Sequence, residues 1–349
     1  LLPIGMISYL FPVLSRFTFG AGGLIGTCWK LALNHLPSTL LLGLKEYTDN
    51  ITAIVTVTDD GGGSGVLRRE MGILPPGDVR QCMQALANTE PVMEQLLGYR
   101  FPEGQLKGQS FGNLLLAALN GMAGSFEEAV AMMGQVLAIS GRVLPVTNES
   151  VYLAADFDDG TEVLGESLIA EFKKGTDKRI ERVRLVPPHP QALDEVLEAI
   201  GEADMIVLGP GSLYTSIMPN LLCAGVAEAV ANSDAFRIYV LNIMTQDGET
   251  EGYTASDHIG AIFSNSGRRL FDWCLANSGE IPPEVREKYA REGAEPVAVD
   301  VPAVQELGVG LIYAPVAAWR NGVIRHDPDA LAAELLRAYR EKSHTRVYE

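Results

Sequence analysis

The chain has 349 residues, enough for one large α/β domain or two ordinary ones around a substantial core. Its formal net charge of -17 repels polyanions, which argues against duplex nucleic acid and acidic membrane surfaces as partners. An anionic small ligand then needs local help from backbone amides and arginines, and four cysteines (Cys28, Cys82, Cys223, Cys274) without C-x-x-C or metal-ligand spacing point to a reducing cytoplasm.

Residues 1–44 are strongly apolar, with Arg16 and Lys30 as their only Lys or Arg and no acidic residue. A transmembrane helix needs about 20 consecutive apolar residues. Pro3, Pro12, Arg16, the Gly20-Ala21-Gly22-Gly23 cluster, Lys30 and Pro37 interrupt every such window. The expectation is an atypical apolar leader over residues 1–35, not a membrane span, followed by a single domain over 36–349.

From Asp49 onward, short β-branched runs alternate with helical segments, the pattern of an α/β fold with a mostly parallel sheet covered by helices. Residues 51–58, Ile-Thr-Ala-Ile-Val-Thr-Val-Thr, read as a buried central strand ended by Asp-Asp-Gly. A Gly loop, a short helix over 66–71 and the turn Leu74-Pro75-Pro76-Gly77-Asp78 follow, with Asp78 as the expected N-cap of the next helix. Ser110-Phe111-Gly112-Asn113 opens a packing helix through Ala118, and residues 126–139 form another. Between about 142 and 190 the pattern changes to a β-rich insertion, with Asp158-Asp159-Gly160 as a hairpin turn. Strand, loop and helix resume with 204–208, Gly209-Pro210-Gly211-Ser212 and a helix over 219–231. A strand over 236–243, a long polar loop over 244–256 and a helix from Asp257 come next. Asp327-Pro328 caps a last helix whose apolar face is Leu331, Leu335, Leu336 and Tyr339.

Ligands of doubly wound sheets bind beyond the carboxyl ends of the strands, where three polar loops fall. In the first, Asp59-Asp60-Gly61-Gly62-Gly63-Ser64-Gly65, glycine amides and the Ser64 hydroxyl suit a phosphate, with Arg68 and Arg69 on the following helix. Its carboxylates, Asp59 and Asp60, suit sugar hydroxyls or a divalent cation; a tight turn with a helix cap is the plain structural alternative. The second loop offers Gly209, Gly211, Ser212 and Thr215 for phosphate or ribose, against an ordinary βα connection with a Ser cap. The third, Asn242 to His258, carries Thr245 and Gln246 among more hydrogen-bonding side chains than a connection requires. Asp257 reads as a helix cap and not as a zinc ligand, since no second histidine lies at helical spacing from His258. There is no Walker A lysine, no G-x-G-x-x-G after a first strand and no nucleophile elbow.

The ordered motifs, Thr48 through Gly65, Leu74-Pro75-Pro76-Gly77-Asp78-Val79-Arg80, Ser110-Phe111-Gly112-Asn113, Gly209 to Ser216, Met244-Thr245-Gln246, Gly252 to His258 and Ile324-Arg325-His326-Asp327-Pro328, closely resemble the YvcK-type gluconeogenesis factor family of the CofD-like group. The resemblance implies a Rossmann-like three-layer sandwich, a cytoplasmic location and binding of UDP-sugars such as UDP-N-acetylglucosamine, with no required cofactor. It further implies a regulatory role in gluconeogenic growth, cell shape and cell-wall homeostasis, with protein partners in wall synthesis and self-association as further expectations. It adds Asp78, Arg80 and Asn113 to the ligand-binding set, and its tyrosine and arginine fall on Tyr289 and Arg325. Guanidinium chemistry supports Arg325 as a diphosphate partner, whereas chemistry alone does not select Tyr289, since a tyrosine in a charged helical stretch is more often a half-buried packing residue. The alternative is the CofD branch, a magnesium-dependent phospholactate transferase acting on a deazaflavin precursor, in which Asp59 or Asp60 would hold the metal. One departure stands out: Leu33-Asn34-His35 stands where members of the family close a first Gly-rich loop, so part of the phosphate cradle is expected to be missing and the fold to survive without full binding.

Overall fold

Alternating strands and helices build a doubly wound sheet in the computed structural model, which describes residues 32–33, 37–320 and 322–343. The strands are β1 (Ala32–Leu33), β2 (Thr52–Val55), β3 (Arg142–Pro145), β4 (Tyr152–Phe157), β5 (Glu162–Leu164), β6 (Ile180–Val186), β7 (Met205–Leu208), β8 (Phe236–Val240), β9 (Trp273–Asn277), β10 (Gly310–Ala314), β11 (Ala317–Arg320) and β12 (Val323–His326). Seven of them pair in parallel in the order β10-β9-β8-β7-β1-β2-β3. The order reverses between β1 and β7, which sets a crevice at the carboxyl ends of the central strands. Every residue of β2 and β7 is buried, as expected of strands covered by helices on both faces.

The first strand comes from inside the segment expected as a leader. Ala32 and Leu33 pair with Ala53 and Ile54 on one side and with Val207 and Leu208 on the other. The remainder of that segment, and the Asn34-His35 position where a Gly loop is expected to be missing, lie outside the described residues.

Helix Pro37–Leu44 packs against the C-terminal helix Pro328–Lys342 so closely that a Cβ on Gly43 would stand 2.0 Å from the Pro328 carbonyl oxygen. Asp327 caps the second of these, accepting from the Asp329 and Ala330 amides. Asp78, expected as an N-cap, instead lies within the first turn of helix Gly77–Leu86, behind Pro76. The helix expected over 219–231 is broken: a π-helical turn Leu213–Ile217 leads into Met218–Leu221, and Gly225 at φ 87° separates it from Val226–Asn232. Asp257 does complete a capping box with Thr254 at the head of helix Ala255–Ser266.

The expected insertion starts with an edge strand of the main sheet, since β3 pairs with β2. β4, β5 and β6 form a separate antiparallel sheet, turned at Gly160 and followed between β5 and β6 by helix Glu166–Lys174. No described helix is long and apolar enough to cross a membrane.

Candidate ligand-binding cleft

Beyond β7 and β8 the chain is held by its own polar groups. Gly209 takes φ 74°, and a Cβ there would lie 2.8 Å from the Val240 carbonyl oxygen, so only glycine fits. Just past β8, Asn242 pins the turn: its Oδ1 accepts from Gly211 N at 3.1 Å and its Nδ2 donates to Gly211 O at 2.8 Å. Ser212 Oγ donates to Gln246 Oε1 at 2.8 Å, joining the second loop to the third. Thr245 is fixed to Glu295 through its amide (2.7 Å) and its hydroxyl (2.9 Å).

The opposite wall comes from helix Pro283–Arg291 and the β11–β12 hairpin. Tyr289 Oη accepts from Ile324 N at 3.1 Å, and Ile324 packs with Ile243, Met244, Ile281 and Val285. Arg325 donates to the Ile324 carbonyl at 3.1 Å and makes no ion pair among the described residues. Between the walls lies a cavity of about 750 Å³ lined by Gly211, Ser212, Asn242, Thr245, Gln246, Tyr289 and Arg325, together with Lys174, Asp247, Glu292 and His326.

Thr215 faces away from it. Its hydroxyl donates to Glu249 Oε1 at 2.5 Å while Tyr214 N donates to Oε2 at 3.3 Å, and Glu249 is 2% exposed. An internal carboxylate therefore occupies the amide-rich start of the π-helical turn, where an anionic ligand was expected.

The first Gly-rich loop serves a different cavity. Helix Gly62–Met71 begins inside the motif, so Gly62, Gly63 and Ser64 belong to its first turn. They line a space of about 230 Å³ with Asp59, Gly61, Gly77, Asp78, Arg80, Gln81, Arg100 and Asn113. Arg80 Nε donates to Asn113 Oδ1 at 3.0 Å, and Nη1 to Gln84 Oε1 at 2.9 Å; burial, then the charge of Arg100, lowers its pKa. Asp59 Oδ1 accepts from Gly61 N at 2.9 Å, whereas Asp60 turns outward and accepts from Ser167 N at 2.9 Å, capping helix Glu166–Lys174. The neighbouring carboxylates thus diverge, which does not suit the pair for joint ligation of magnesium. Arg68, expected beside a phosphate, donates to the Val151 carbonyl at 2.6 Å and lies over the Tyr152 ring at 3.7 Å, tying the helix to the β4 sheet. The expected site residues are therefore not one constellation: the two cavities share no lining residue.

The family model described as 2-phospho-L-lactate transferase CofD matches residues 37–317. The chain is 46% identical over 305 residues to the gluconeogenesis factor of Bacillus subtilis, covering 87% of this chain and 95% of that one. It is 47% identical over 300 residues to the gluconeogenesis factor of Halalkalibacterium halodurans, covering 86% and 92%. The chain belongs to the CofD-like gluconeogenesis factor family. A crystal structure of a upf0052 family member from Bacillus halodurans superimposes with a TM-score of 0.84 at 46% identity, covering 88% of this chain and 98% of that one.

Of the lining residues of this family member, several carried no mark in the sequence. Lys174 comes from the β-rich arm and Arg100 from a loop, neither within a motif. Asn242 did have a signal, as the first polar side chain after a buried strand. His326 was quoted only as a neighbour of Arg325. Its imidazole is pushed down to about 4 by burial, against a smaller opposing hydrogen bond to the Leu241 backbone.

Proposed function

We propose that the protein binds a nucleotide sugar of the UDP-N-acetylglucosamine type in the larger cleft, and that it acts in the cytoplasm as a ligand-responsive regulator of gluconeogenic growth, cell shape and cell-wall homeostasis. The observation that carries this reading is the Arg325 guanidinium, which makes no ion pair among the described residues, on the wall of a cavity of about 750 Å³. A chain of net charge -17 gains an anionic ligand only where cations are presented locally, and a guanidinium matches diphosphate geometry. The volume lies within the roughly 300–1,000 Å³ usual for small-molecule sites. The apolar surface of Ile243, Met244 and Ile324 suits a base, and the Ser212, Thr245 and Gln246 side suits sugar hydroxyls. The relatives named gluconeogenesis factor supply the physiological part of the reading.

Titration calorimetry with UDP-N-acetylglucosamine, with and without magnesium, tests it. Saturable binding without turnover is expected, weakened about 10- to 150-fold in Arg325→Ala by loss of a charge-assisted hydrogen bond. Unchanged affinity in that variant removes Arg325 from the site. Formation of a phospholactyl product from a guanylated donor replaces the regulator with a transferase.

A further inference from the structure

Lys174 and Asp247 meet on the wall of the larger cleft, in a contact looser than those of the neighbouring carboxylates. Glu249 accepts from Thr215 Oγ1 at 2.5 Å and from Tyr214 N at 3.3 Å. Glu251 accepts from Lys173 Nζ at 2.7 Å and from Gly248 N at 2.5 Å, which fastens the third loop to the arm. Asp247 has instead an ion pair with Lys174 at 3.5 Å, longer than a good hydrogen bond, between side chains that are 39% and 56% exposed. An exposed pair of that length adds little to stability, so the fold does not need this lysine and this carboxylate to face each other.

Their placement is nevertheless built. Gly248 takes φ 86°, and a Cβ there would lie 3.2 Å from both the Ala170 carbonyl oxygen and Lys174 Cε. The lysine stem therefore runs along the turn, which carries its ammonium to the cleft. On the other side, a Cβ on Gly293 would stand 3.1 Å from Asp247 Oδ1, so the carboxylate sits between the end of the arm helix and the turn that follows Tyr289 and its helix, Pro283–Arg291. Of the lining side chains, Lys174 and Arg325 are offset in formal charge by Asp247 and Glu292. A diphosphate brings more negative charge than one guanidinium balances, and the remaining cation of the wall is the one that Asp247 engages.

Resting on the nucleotide-sugar reading above, we infer that Lys174 is the second cation of the diphosphate subsite and that Asp247 is a built-in competitor for it, giving up the ion pair when a ligand phosphate arrives. Binding exchanges a long carboxylate contact for charge-assisted hydrogen bonds from an ammonium with three donors. The end of the arm helix thereby joins the ligand, while Lys173 and Glu251 keep the arm fastened to the loop.

The experiment measures UDP-N-acetylglucosamine affinity by calorimetry at one ionic strength for wild type, Lys174→Met, Lys174→Arg, Asp247→Asn and the double variant of Lys174→Met with Asp247→Asn. Lys174→Met is expected to weaken binding about tenfold, and Lys174→Arg to stay within about threefold of wild type. Asp247→Asn is expected to tighten binding by about two- to fivefold, an outcome that damage to the loop would not produce. The double variant should match Lys174→Met within about twofold, because the gain from Asp247→Asn passes through the lysine. Wild-type affinity in Asp247→Asn, or weaker, overturns the exchange, as does Lys174→Met binding within about twofold of wild type or a double variant that keeps the Asp247→Asn gain; each of these leaves the cleft standing. A wild-type chain that binds no UDP-N-acetylglucosamine overturns the cleft reading itself.

Discussion

Asn242 offers the sharpest test of how the cleft is built, because one side chain makes both hydrogen bonds to Gly211, at 3.1 and 2.8 Å. Replacing it by Ala removes both and leaves a backbone amide and carbonyl to find water. At about 1 kcal/mol net for each bond, the turn loses roughly 2 kcal/mol of order, equivalent to about 30-fold in the population of its binding-competent form. Asn242→Asp keeps the acceptor for Gly211 N but sets a carboxylate oxygen against the Gly211 carbonyl and adds negative charge beside an anionic ligand. The expected ranking for UDP-N-acetylglucosamine affinity is wild type, then Ala, then Asp, with Ala weaker by about 10- to 30-fold. Calorimetry gives the affinities, and urea unfolding gives the accompanying fall in midpoint without a change of slope. An Ala variant that binds within about twofold of wild type would refute the view that this side chain shapes the cleft.

Two further predictions concern stability. Gly43→Ala should destabilise by about 1–3 kcal/mol or more despite alanine's higher helix propensity, because the new methyl meets the Pro328 carbonyl at 2.0 Å; Gly121→Ala, with nothing within 4 Å, should stabilise by about 0.5–1 kcal/mol. Equal effects at the two sites in denaturant titrations would contradict the close helix approach. Acid sensitivity follows from His326, whose pKa burial pushes down from the ordinary imidazole value of 6.5 to about 4. The native chain then binds fewer protons than the unfolded one, so this contribution is fully present above pH 6.5 and is lost as pH falls toward 4. At about 1.4 kcal/mol per unit it amounts to roughly 3 kcal/mol, and the buried His258, also lowered, adds in the same direction. Unfolding midpoints of His326→Phe should fall less steeply than wild type across that window; parallel curves would show that the ring does not titrate as described.

The central strands were legible because β2 and β7 are runs of apolar, β-branched residues with no alternative to burial, and the Asp158-Asp159-Gly160 turn was legible because only a hairpin needs that chemistry. β1 was not: two residues in an apolar stretch carry no period, and only their pairing with Ala53 and Val207 makes them a strand. Loop composition marked where polar chemistry gathers but not which way each side chain faces. Thr215 and Asp60 sit in the right motifs, yet one is claimed by Glu249 and the other by an amide from the arm. The gathering of Arg80 and Asn113 on one cavity rests on a tertiary bond between them, which spans 33 positions and leaves no local trace.

Helix Glu166–Lys174 spans both halves of this arrangement. At its start Ser167 N meets Asp60 and Glu166 accepts from the Thr58 hydroxyl at 3.2 Å. At its end Lys173 pairs with Glu251 at 2.7 Å and Lys174 with Asp247 at 3.5 Å. Measured by strand pairing alone, the arm is an appendage that an engineer would trim or exchange for another protein's. The ends of its helix say otherwise: a deletion of residues 152–186 strips one loop's carboxylate of its amide donor and the other loop of its counter-charges, so the arm is a shared splint, and the cleft does not come as a detachable module without it.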